Sequence, residues 1–317
     1  MSEDKIIGRI SRTLGEGDAV DGLAQRLSPS DLQSLMLHVY QRRSAQRSPA
    51  EILAHYDRSL MVRPSGADPR ALVELERIAF EAAAEFEAID LAPVAPLGVN
   101  RVLGRIDQNN CLATVRNAEV IADPTTAKAL ECARRRRAGE QQTLKLCSRS
   151  RQLRLQPFDS PAFSPHFDLF SMVTAGRDRG GLMFELESLR EHIGVYLDFL
   201  NRLTRAGYRF DDITLNVSDT ARDAGRLRRA EEEVLNPLAE TWRQVTFRLD
   251  NEREQGRSYY TGLCLGLYAS DATGQRFNLG DGGFTDWTQR LLSNAKERLL
   301  VTAVGIELLA KRFLITK

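Results

Sequence analysis

Apolar residues recur every three or four positions along several stretches of the chain, the spacing that places them on one face of an α-helix. This pattern predicts helices over 68–87, 124–137, 182–206 and 220–242, and a last helix from Gly305. Residues 1 to about 65 indicate short helices instead, because Ser-Pro pairs followed by an acidic residue, a helix-start signal, precede two apolar runs. We therefore expect a helical extension ahead of a larger domain.

Stretches rich in β-branched and aromatic residues predict strands between these helices. They are expected near 143–157, 166–175, 212–219, 245–250, 259–270, 277–283 and 299–304, with looser extended stretches around 100–121. The strands at 245–250, 259–270 and 277–283 are expected to be antiparallel. Hairpin-connected strands with long helices between them favour an α+β fold, with a mostly antiparallel sheet flanked by helices.

Composition narrows the class of protein without indicating its chemistry. The chain has 317 residues, and 44 basic residues against 43 acidic ones give a net charge of +1. No run approaches the ~18 apolar residues of a membrane span, and a neutral chain argues against general coating of nucleic acid. The N-terminus lacks the apolar core of a secretory signal, so we expect a cytoplasmic protein. Neither the four cysteines nor the four histidines show metal-ligand spacing, so no metal site is predicted.

Five short motifs occur in the second part of the chain. They read ADPT at 122–125, LRLQ at 153–156, GRSYYTG at 256–262, GDGGFTD at 280–286 and VGIELL at 304–309. In this order and spacing they resemble the catalytic core of class II aminoacyl-tRNA synthetases, in the branch that contains histidyl-tRNA synthetase and the regulatory subunit of ATP phosphoribosyltransferase. The resemblance implies a synthetase-like core domain over 66–317, preceded by the extension over 1–65.

The resemblance also implies a pocket for a small amino-acid-like ligand. Asp123 and Thr125 match family positions that hold the substrate ammonium group, and Tyr260 matches a residue that lines the amino-acid pocket. Arg154 matches the arginine that grips the ATP α-phosphate, a task suited to a bidentate guanidinium. Each has a plainer alternative: a helix N-cap before proline for Asp123, a sheet-surface arginine for Arg154, and core packing for Tyr260.

Further candidate ligand-binding residues surround these positions. Gly282, Gly283 and Asp286 belong to the GDGGFTD motif, which matches the family's "GGRYD" turn. Gln255, which stands just before the GRSYYTG motif, is another candidate. Arg116 and Glu119 alternate on a predicted strand beside Asp123, where they line either the pocket or the exposed face of the sheet.

Polar residues on which the family's chemistry depends are replaced in this chain. The arginine of the third class motif falls on Leu308, and the arginine before the tyrosine pair falls on Gln255. Other family residues that contact the substrate fall on Gln156, Leu169, Val173, Phe284 and Thr285. A leucine supplies neither the charge nor the planar face of a guanidinium. We therefore expect histidine activation to be lost and predict no certain cofactor, with ATP and magnesium required only if Arg257, Arg177 or Arg154 has rebuilt the ATP grip.

Three functions are consistent with this pattern. The leading interpretation is a catalytically diverged synthetase paralogue that acts as a ligand-binding or regulatory subunit of an enzyme. The first alternative is an ATP-dependent ligase, with Arg154 and Arg257 as its catalytic residues, that transfers an aminoacyl group to an acceptor other than tRNA. The second is an RNA-binding protein that uses the basic segment between Arg101 and Arg154. Its arginine run at 134–137 is also typical of a solvated helix end.

The resemblance has two consequences for assembly and domain content. In the family, the segment that matches 68–97 forms the dimer interface, so a homodimer is expected, and two-fold pairing is the commonest oligomer. The chain ends one predicted helix beyond the last motif. No C-terminal anticodon-binding domain is therefore expected, which argues against ordinary tRNA charging.

Overall fold

A computed structural model describes residues 3–15, 19–156, 164–254, 256 and 259–315. Its helices are α1 Glu3–Leu14, α2 Ala19–Asp21, α3 Pro29–Ala45, α4 Pro49–Arg58, α5 Pro69–Ala82, α6 Val99–Val102, α7 Pro124–Arg137, α8 Met183–Arg205, α9 Ala224–Ala230, α10 Asn236–Thr241, α11 Trp287–Leu292 and α12 Ile306–Arg312. Its strands are β1 Glu87–Ala88, β2 Val94–Pro96, β3 Ala118–Val120, β4 Leu144–Leu153, β5 His166–Arg177, β6 Asp211–Asp219, β7 Thr246–Leu249, β8 Leu263–Ser270, β9 Arg276–Thr285 and β10 Glu297–Gly305. Gly22–Arg26 and Glu231–Leu235 are π-helical, and Gln108–Asn110 is a 3₁₀ turn.

Local capping chemistry starts the helices where the sequence predicts them. Ser48 Oγ accepts a hydrogen bond from the Glu51 amide at 3.3 Å, and the Glu51 carboxylate accepts one from the Ser48 amide at 2.8 Å, which forms a capping box at the start of α4. Asp123 caps α7, whose first residue is Pro124. The predicted bounds of α7 are confirmed, and those of α8 are confirmed to within one residue at each end.

Eight strands form one sheet in the order β1-β4-β5-β10-β9-β8-β6-β7 in the described part of the chain. The five inner pairs are antiparallel, which confirms the predicted α+β fold with a mostly antiparallel sheet. The expectation that 245–250 is an antiparallel strand is wrong, because β7 pairs parallel with β6, with Thr246 opposite Thr214. The helical crossover from α9 to α10 returns the chain to the same end of the sheet, so the two strands run in one direction.

The extended structure expected around 100–121 is wrong for most of that stretch. It contains α6 and the 3₁₀ turn, and within it β3 pairs with β2 in a separate two-stranded sheet and forms one isolated bridge, between Glu119 and Ala113. The buried side chain of Asn100 donates to the Val120 carbonyl at 3.0 Å and accepts from the Ala122 amide at 3.1 Å. These side-chain bonds satisfy backbone groups that a regular strand ladder would otherwise pair.

The main core lies between the sheet and helices α5 and α8. His192 of α8 is fully buried there, with its ring nitrogens 2.8 Å from Thr174 Oγ1 and 2.9 Å from Thr302 Oγ1. Burial lowers the pKa of His192 to about 3, so the ring is neutral and joins the helix to strands β5 and β10. The opposite face of the sheet packs against α7 and α11 around a smaller apolar cluster, which leaves part of that face open.

The N-terminal helices contribute no buried residue to either core within 5–15 and 19–65. Their junction with the rest of the chain is fixed by polar contacts. His166 Nε2 donates to the Arg63 carbonyl at 2.6 Å, and the Glu307 carboxylate accepts from the Ser65 hydroxyl. None of the described helices combines the length and the apolar character that crossing a membrane requires.

Candidate functional site

A cavity of about 290 Å³ opens on the face of the sheet that α8 does not cover. This volume lies near the lower end of the roughly 300–1,000 Å³ that small-molecule sites occupy. The polar residues that line it are Asp123, Thr125, Arg154, Ser164, Asp168, Tyr259, Tyr260, Asn278, Asp281, Thr302 and Glu307. The structure therefore brings together four of the residues that the motifs predict, Asp123, Thr125, Arg154 and Tyr260.

Asp123 serves the helix and the cavity at the same time. Its Oδ1 atom accepts hydrogen bonds from the Thr125 amide at 2.9 Å and from Thr125 Oγ1 at 2.7 Å, which caps α7. Its Oδ2 atom accepts from the Tyr259 hydroxyl and lies 3.8 Å from Nη2 of Arg154. One carboxylate therefore has both roles that the sequence left as alternatives, because Asp123 caps α7 and also lines the cavity.

Arg154 is held in the cavity by its backbone and by one guanidinium nitrogen. Its amide donates to the Pro165 carbonyl at 2.8 Å, and its Nε atom donates to the Ala122 carbonyl at 2.7 Å. The guanidinium carbon lies 5.6 Å from the ring centroid of Phe167, in cation–π range. Its side chain is 28% exposed, so a charged donor remains available to an anionic group in the cavity.

The tyrosine pair contacts two of the four acidic residues that line the cavity, because Tyr259 donates to Asp123 and Tyr260 to Asp281. The ring of Tyr260 packs on Gly283, where a Cβ atom would approach the ring to 2.7 Å, so a larger residue would displace the tyrosine. Burial and the Asp123 carboxylate raise the pKa of Tyr259 well above its usual range. Burial and the Asp281 carboxylate do the same for Tyr260. Both hydroxyls therefore stay protonated and can donate.

Asp281 is a cavity residue that the sequence interpretation missed. It lies on β9 with its side chain 45% exposed, and its Oδ2 atom is 3.2 Å from Nη2 of Arg253. Although nearly half of this side chain is open to the cavity, the surrounding protein removes it from bulk water, which raises its pKa; the Asp123 carboxylate adds to the rise, and Arg253 and the Tyr260 hydroxyl oppose it. A single acidic residue among the glycines of GDGG was the available signal, since glycines that let backbones approach closely often border a site.

Arg253 was also missed as a neighbour of the site. Its side chain is 7% exposed, and its Nη1 atom donates to the Leu265 carbonyl at 2.8 Å. The guanidinium carbon lies 5.8 Å from the ring centroid of Tyr260. The sequence interpretation looked for this charge at Arg257, which lies outside the described residues, as does Gln255.

The other candidate residues do not line this cavity. Arg116 is exposed, and Glu119 is fully buried, where it accepts from the Asn100 amide at 2.7 Å. Gly282 lies within β9 opposite Thr302 of β10, where a Cβ atom would lie 2.3 Å from Cγ2 of Thr302. Asp286 lines a separate cavity at the end of β9.

Leu169 and Leu308 line one end of the cavity, at two positions where the resemblance to the synthetases implies polar nucleotide-binding groups. The acidic residues there are already paired: Asp168 with Arg149 and Arg151, and Glu307 with Arg151 and Lys311. These residues do not fit the charged grip that magnesium-bound ATP needs. Within the described ranges, no three histidine, cysteine, aspartate or glutamate residues come together as metal ligands.

The arginine run at the end of α7 lies away from this cavity. Arg134 and Arg135 pair with Glu131, and Arg137 donates to the Leu291 carbonyl. Arg136 is buried, so the interpretation of the run as a solvated helix end is wrong at this position. The physical reason is that the last turn of α7 packs on the sheet, where Glu297 provides a counter-charge.

Comparison with solved structures shows the fold. No family model and no curated protein sequence matches the chain. An ATP phosphoribosyltransferase regulatory subunit/histidyl-tRNA synthetase from Bacillus halodurans C matches with 13% identity and a TM-score of 0.54, over 76% of this chain and 79% of the other. A histidine–tRNA ligase subunit from Alicyclobacillus acidocaldarius matches with 13% identity and a TM-score of 0.54, over 78% of this chain and 96% of the other.

The apo histidyl-tRNA synthetase of S. aureus matches with 16% identity and a TM-score of 0.53. The match covers 76% of this chain but 64% of the synthetase. Together with the sheet order, these matches show a class II aminoacyl-tRNA synthetase-like fold, as the motifs predict.

Proposed function

We propose that this chain is a non-catalytic paralogue of the class II synthetases that binds a small amino-acid-like ligand and regulates an enzyme partner. The observation that carries the proposal is one cavity with Asp123 and Arg154 at its polar end and Leu169 and Leu308 at the other. The first pair supplies charges of both signs for a zwitterion. The second pair supplies no contact for a nucleotide phosphate.

The polar end matches the two charged groups of an amino acid. A ligand ammonium group placed between Asp123 and Asp281 would satisfy two carboxylates whose mutual repulsion contributes to the raised pKa of Asp281. A ligand carboxylate beside Arg154 would gain charge-assisted hydrogen bonds, which are the stronger class in proteins. The small volume of the cavity suits one such molecule.

One comparison supports action on an enzyme partner. A matched structure is described as a regulatory subunit of ATP phosphoribosyltransferase, and an enzyme partner is the corresponding proposal for this chain. We also infer a homodimer through residues 68–97, where Val73, Val94 and Leu97 expose 65%, 39% and 51% of their surface.

Arg154→Ala is expected to weaken ligand binding about 10- to 100-fold, because a hydrogen bond to a charged group contributes about 1.5–3 kcal/mol. Titration calorimetry of the full chain against each of the twenty amino acids would identify the ligand and then measure this loss. Arg116→Ala, which removes an exposed arginine outside the cavity, is the matched control and should leave binding unchanged. Equal affinities of the wild type and Arg154→Ala would contradict the assigned site.

As the pH is lowered, ligand affinity is expected to start falling at a higher pH than it would if the site held an aspartate of ordinary pKa. The raised pKa of Asp281 means that this carboxylate takes up a proton before an exposed one does, and it then no longer attracts an ammonium group. Calorimetry between pH 4 and pH 7 on the wild type and Asp281→Asn would show this. Binding by the variant should be weaker near neutral pH and should lack this acid-dependent decrease.

The ligase alternative retains one supporting feature, the placement of Arg154 in the cavity. Amino-acid-dependent ATP–pyrophosphate exchange distinguishes it from the regulatory proposal. Exchange that disappears in Arg154→Ala would establish an adenylate-forming enzyme. Ligand binding without exchange would support the regulatory function. The RNA-binding alternative gains no observation, since the arginines of the run have protein partners.

A further inference from the structure

The sequence of α3 is complementary to itself when two copies run antiparallel. The helix covers Pro29–Ala45, and its central residue is Leu37. Asp31 precedes this centre by six residues, and Arg43 follows it by six. Leu35 and Val39 lie two residues on either side of it. A two-fold axis near Leu37 would therefore place an acidic residue opposite a basic one and an apolar residue opposite another.

The helix has the exposed apolar surface that such a contact requires. Leu35, Val39 and Tyr40 expose 41%, 38% and 54% of their surface. Twelve of the nineteen large apolar side chains that are exposed in the described chain lie in the N-terminal extension, at Ile10, Leu14, Val20, Leu23, Leu35, Val39, Tyr40, Ile52, Leu53, Tyr56, Leu60 and Val62. Three of these side chains, Leu35, Val39 and Tyr40, lie on α3 and are the ones that its antiparallel pairing would bury.

The charged groups of α3 are available for contacts between copies. Within the described residues, Arg42 and Arg43 form no ion pair, and Asp31 accepts from Ser28 at the start of its own helix. Residues 1–65 contain eight acidic and nine basic side chains. A segment whose net charge is only +1 has little attraction for nucleic acid or an anionic membrane and scarcely repels a second copy of itself.

We propose that α3 is an interface between two copies of this chain, paired antiparallel about a two-fold axis near Leu37. Asp31 then lies opposite the partner's Arg43, and Leu35 packs against the partner's Val39. Antiparallel helices also place each positive helix N-terminus beside the negative C-terminus of its mate. The groove between α3 and α4, about 910 Å³ and lined by Met36, Tyr40 and Glu51 among others, would be covered by the second copy.

Charge reversal at this pair tests the proposal. In sedimentation equilibrium, Asp31→Arg and Arg43→Asp are each expected to raise the dissociation constant at least tenfold and to halve the mass at a suitable concentration. The double variant Asp31→Arg/Arg43→Asp should recover the wild-type mass, because the opposite charges face each other again. Glu240→Arg, on an exposed part of α10 remote in sequence, should leave the mass unchanged.

The recovery cannot arise from helix stability. The acidic residue near the start of α3 and the arginines near its end both favour the helix dipole, so the double variant has the least favourable helix of the set. Val39→Glu disturbs neither helix end and should also halve the mass, while circular dichroism checks that each variant is folded. If a dimer through 68–97 forms about a second two-fold axis, the wild type is a closed tetramer and the α3 variants are dimers, so loss of the α3 contact still halves the mass.

Three results would overturn the proposal. These are a wild-type mass of one chain at all concentrations, a mass unaffected by both single reversals, or a double variant that stays dissociated. Ligand binding by the cavity is measured separately, so failure of the interface and failure of the proposed function are distinguishable.

Discussion

The effect of Lys128→Met on the free energy of unfolding is expected to differ by about 3 kcal/mol between pH 7 and pH 9.5. Lys128 of α7 is fully buried against the sheet, and its Nζ atom donates to Ser148 Oγ and Ser171 Oγ at 2.6 Å each. Burial lowers its pKa to about 7, and neither hydroxyl supplies the negative charge that would offset the loss of water.

The direction of the shift follows from which state binds the proton. In the unfolded chain Lys128 titrates near the ordinary value of about 10.4, so between pH 7 and pH 9.5 the unfolded state holds the proton and the folded state has released it. Stability from this residue therefore increases with pH, by at most about 1.4 kcal/mol per unit. Below pH 7 both states are protonated, and the folded protein then carries the full cost of a buried charge.

Urea unfolding of the wild type and Lys128→Met at a series of pH values would measure this difference. Cys264 has a raised pKa whose causes do not include Lys128, so its contribution cancels in the comparison. Lys296→Met, which removes an exposed lysine, should give a difference that changes little with pH. A pH-independent difference for Lys128→Met as well would contradict the buried titrating lysine.

Arg136→Met is expected to destabilise the protein by about 3–5 kcal/mol, because it leaves one charge of a buried ion pair without its principal partner. Arg136 Nε lies 2.5 Å from Glu297 Oε2, and the two side chains expose 3% and 2% of their surface. After the substitution, Glu297 keeps Arg177 at 3.5 Å and Asn294 at 3.4 Å, both less favourable contacts.

Two further variants make the Arg136 experiment specific. Arg134→Met removes a neighbouring arginine whose side chain is 68% exposed and should cost less than about 1 kcal/mol, as exposed ion pairs usually do. Removing both charges with Arg136→Met/Glu297→Met should restore much of the lost stability, since an apolar pair needs no counter-charge. If all three variants unfold at the wild-type denaturant concentration, the pair is not buried as described.

The helices of this chain could be predicted because their signals are local. The cap at Asp123 and the proline after it determine where α7 begins, and the apolar face of α8 is continuous in the sequence. The direction of β7 could not be predicted, because it depends on the path of the crossover rather than on the composition of the strand. The helix at Asn100 depends on bonds to residues about twenty positions away.

The cavity could be predicted only in part. The order of the motifs was enough to associate Asp123, Arg154 and Tyr260, which three different segments bring to one place. Glu119 alternates with Arg116 near Asp123 in the sequence, but β3 belongs to a separate sheet, so that alternation does not reach the cavity. Asp281 required the geometry of the sheet, because its side chain enters the cavity from a strand whose neighbouring residues face the other core.

The contacts that fix Arg63 and Ser65 connect the N-terminal extension to Glu307, which lines the cavity. A ligand that displaces Glu307 would alter these contacts, and pairing of α3 would in turn alter the affinity for that ligand by the same factor, since coupling between two binding events is reciprocal. Saturation curves recorded at low and high protein concentration would then fail to superimpose. The abundance of the protein itself would act as an effector of ligand binding.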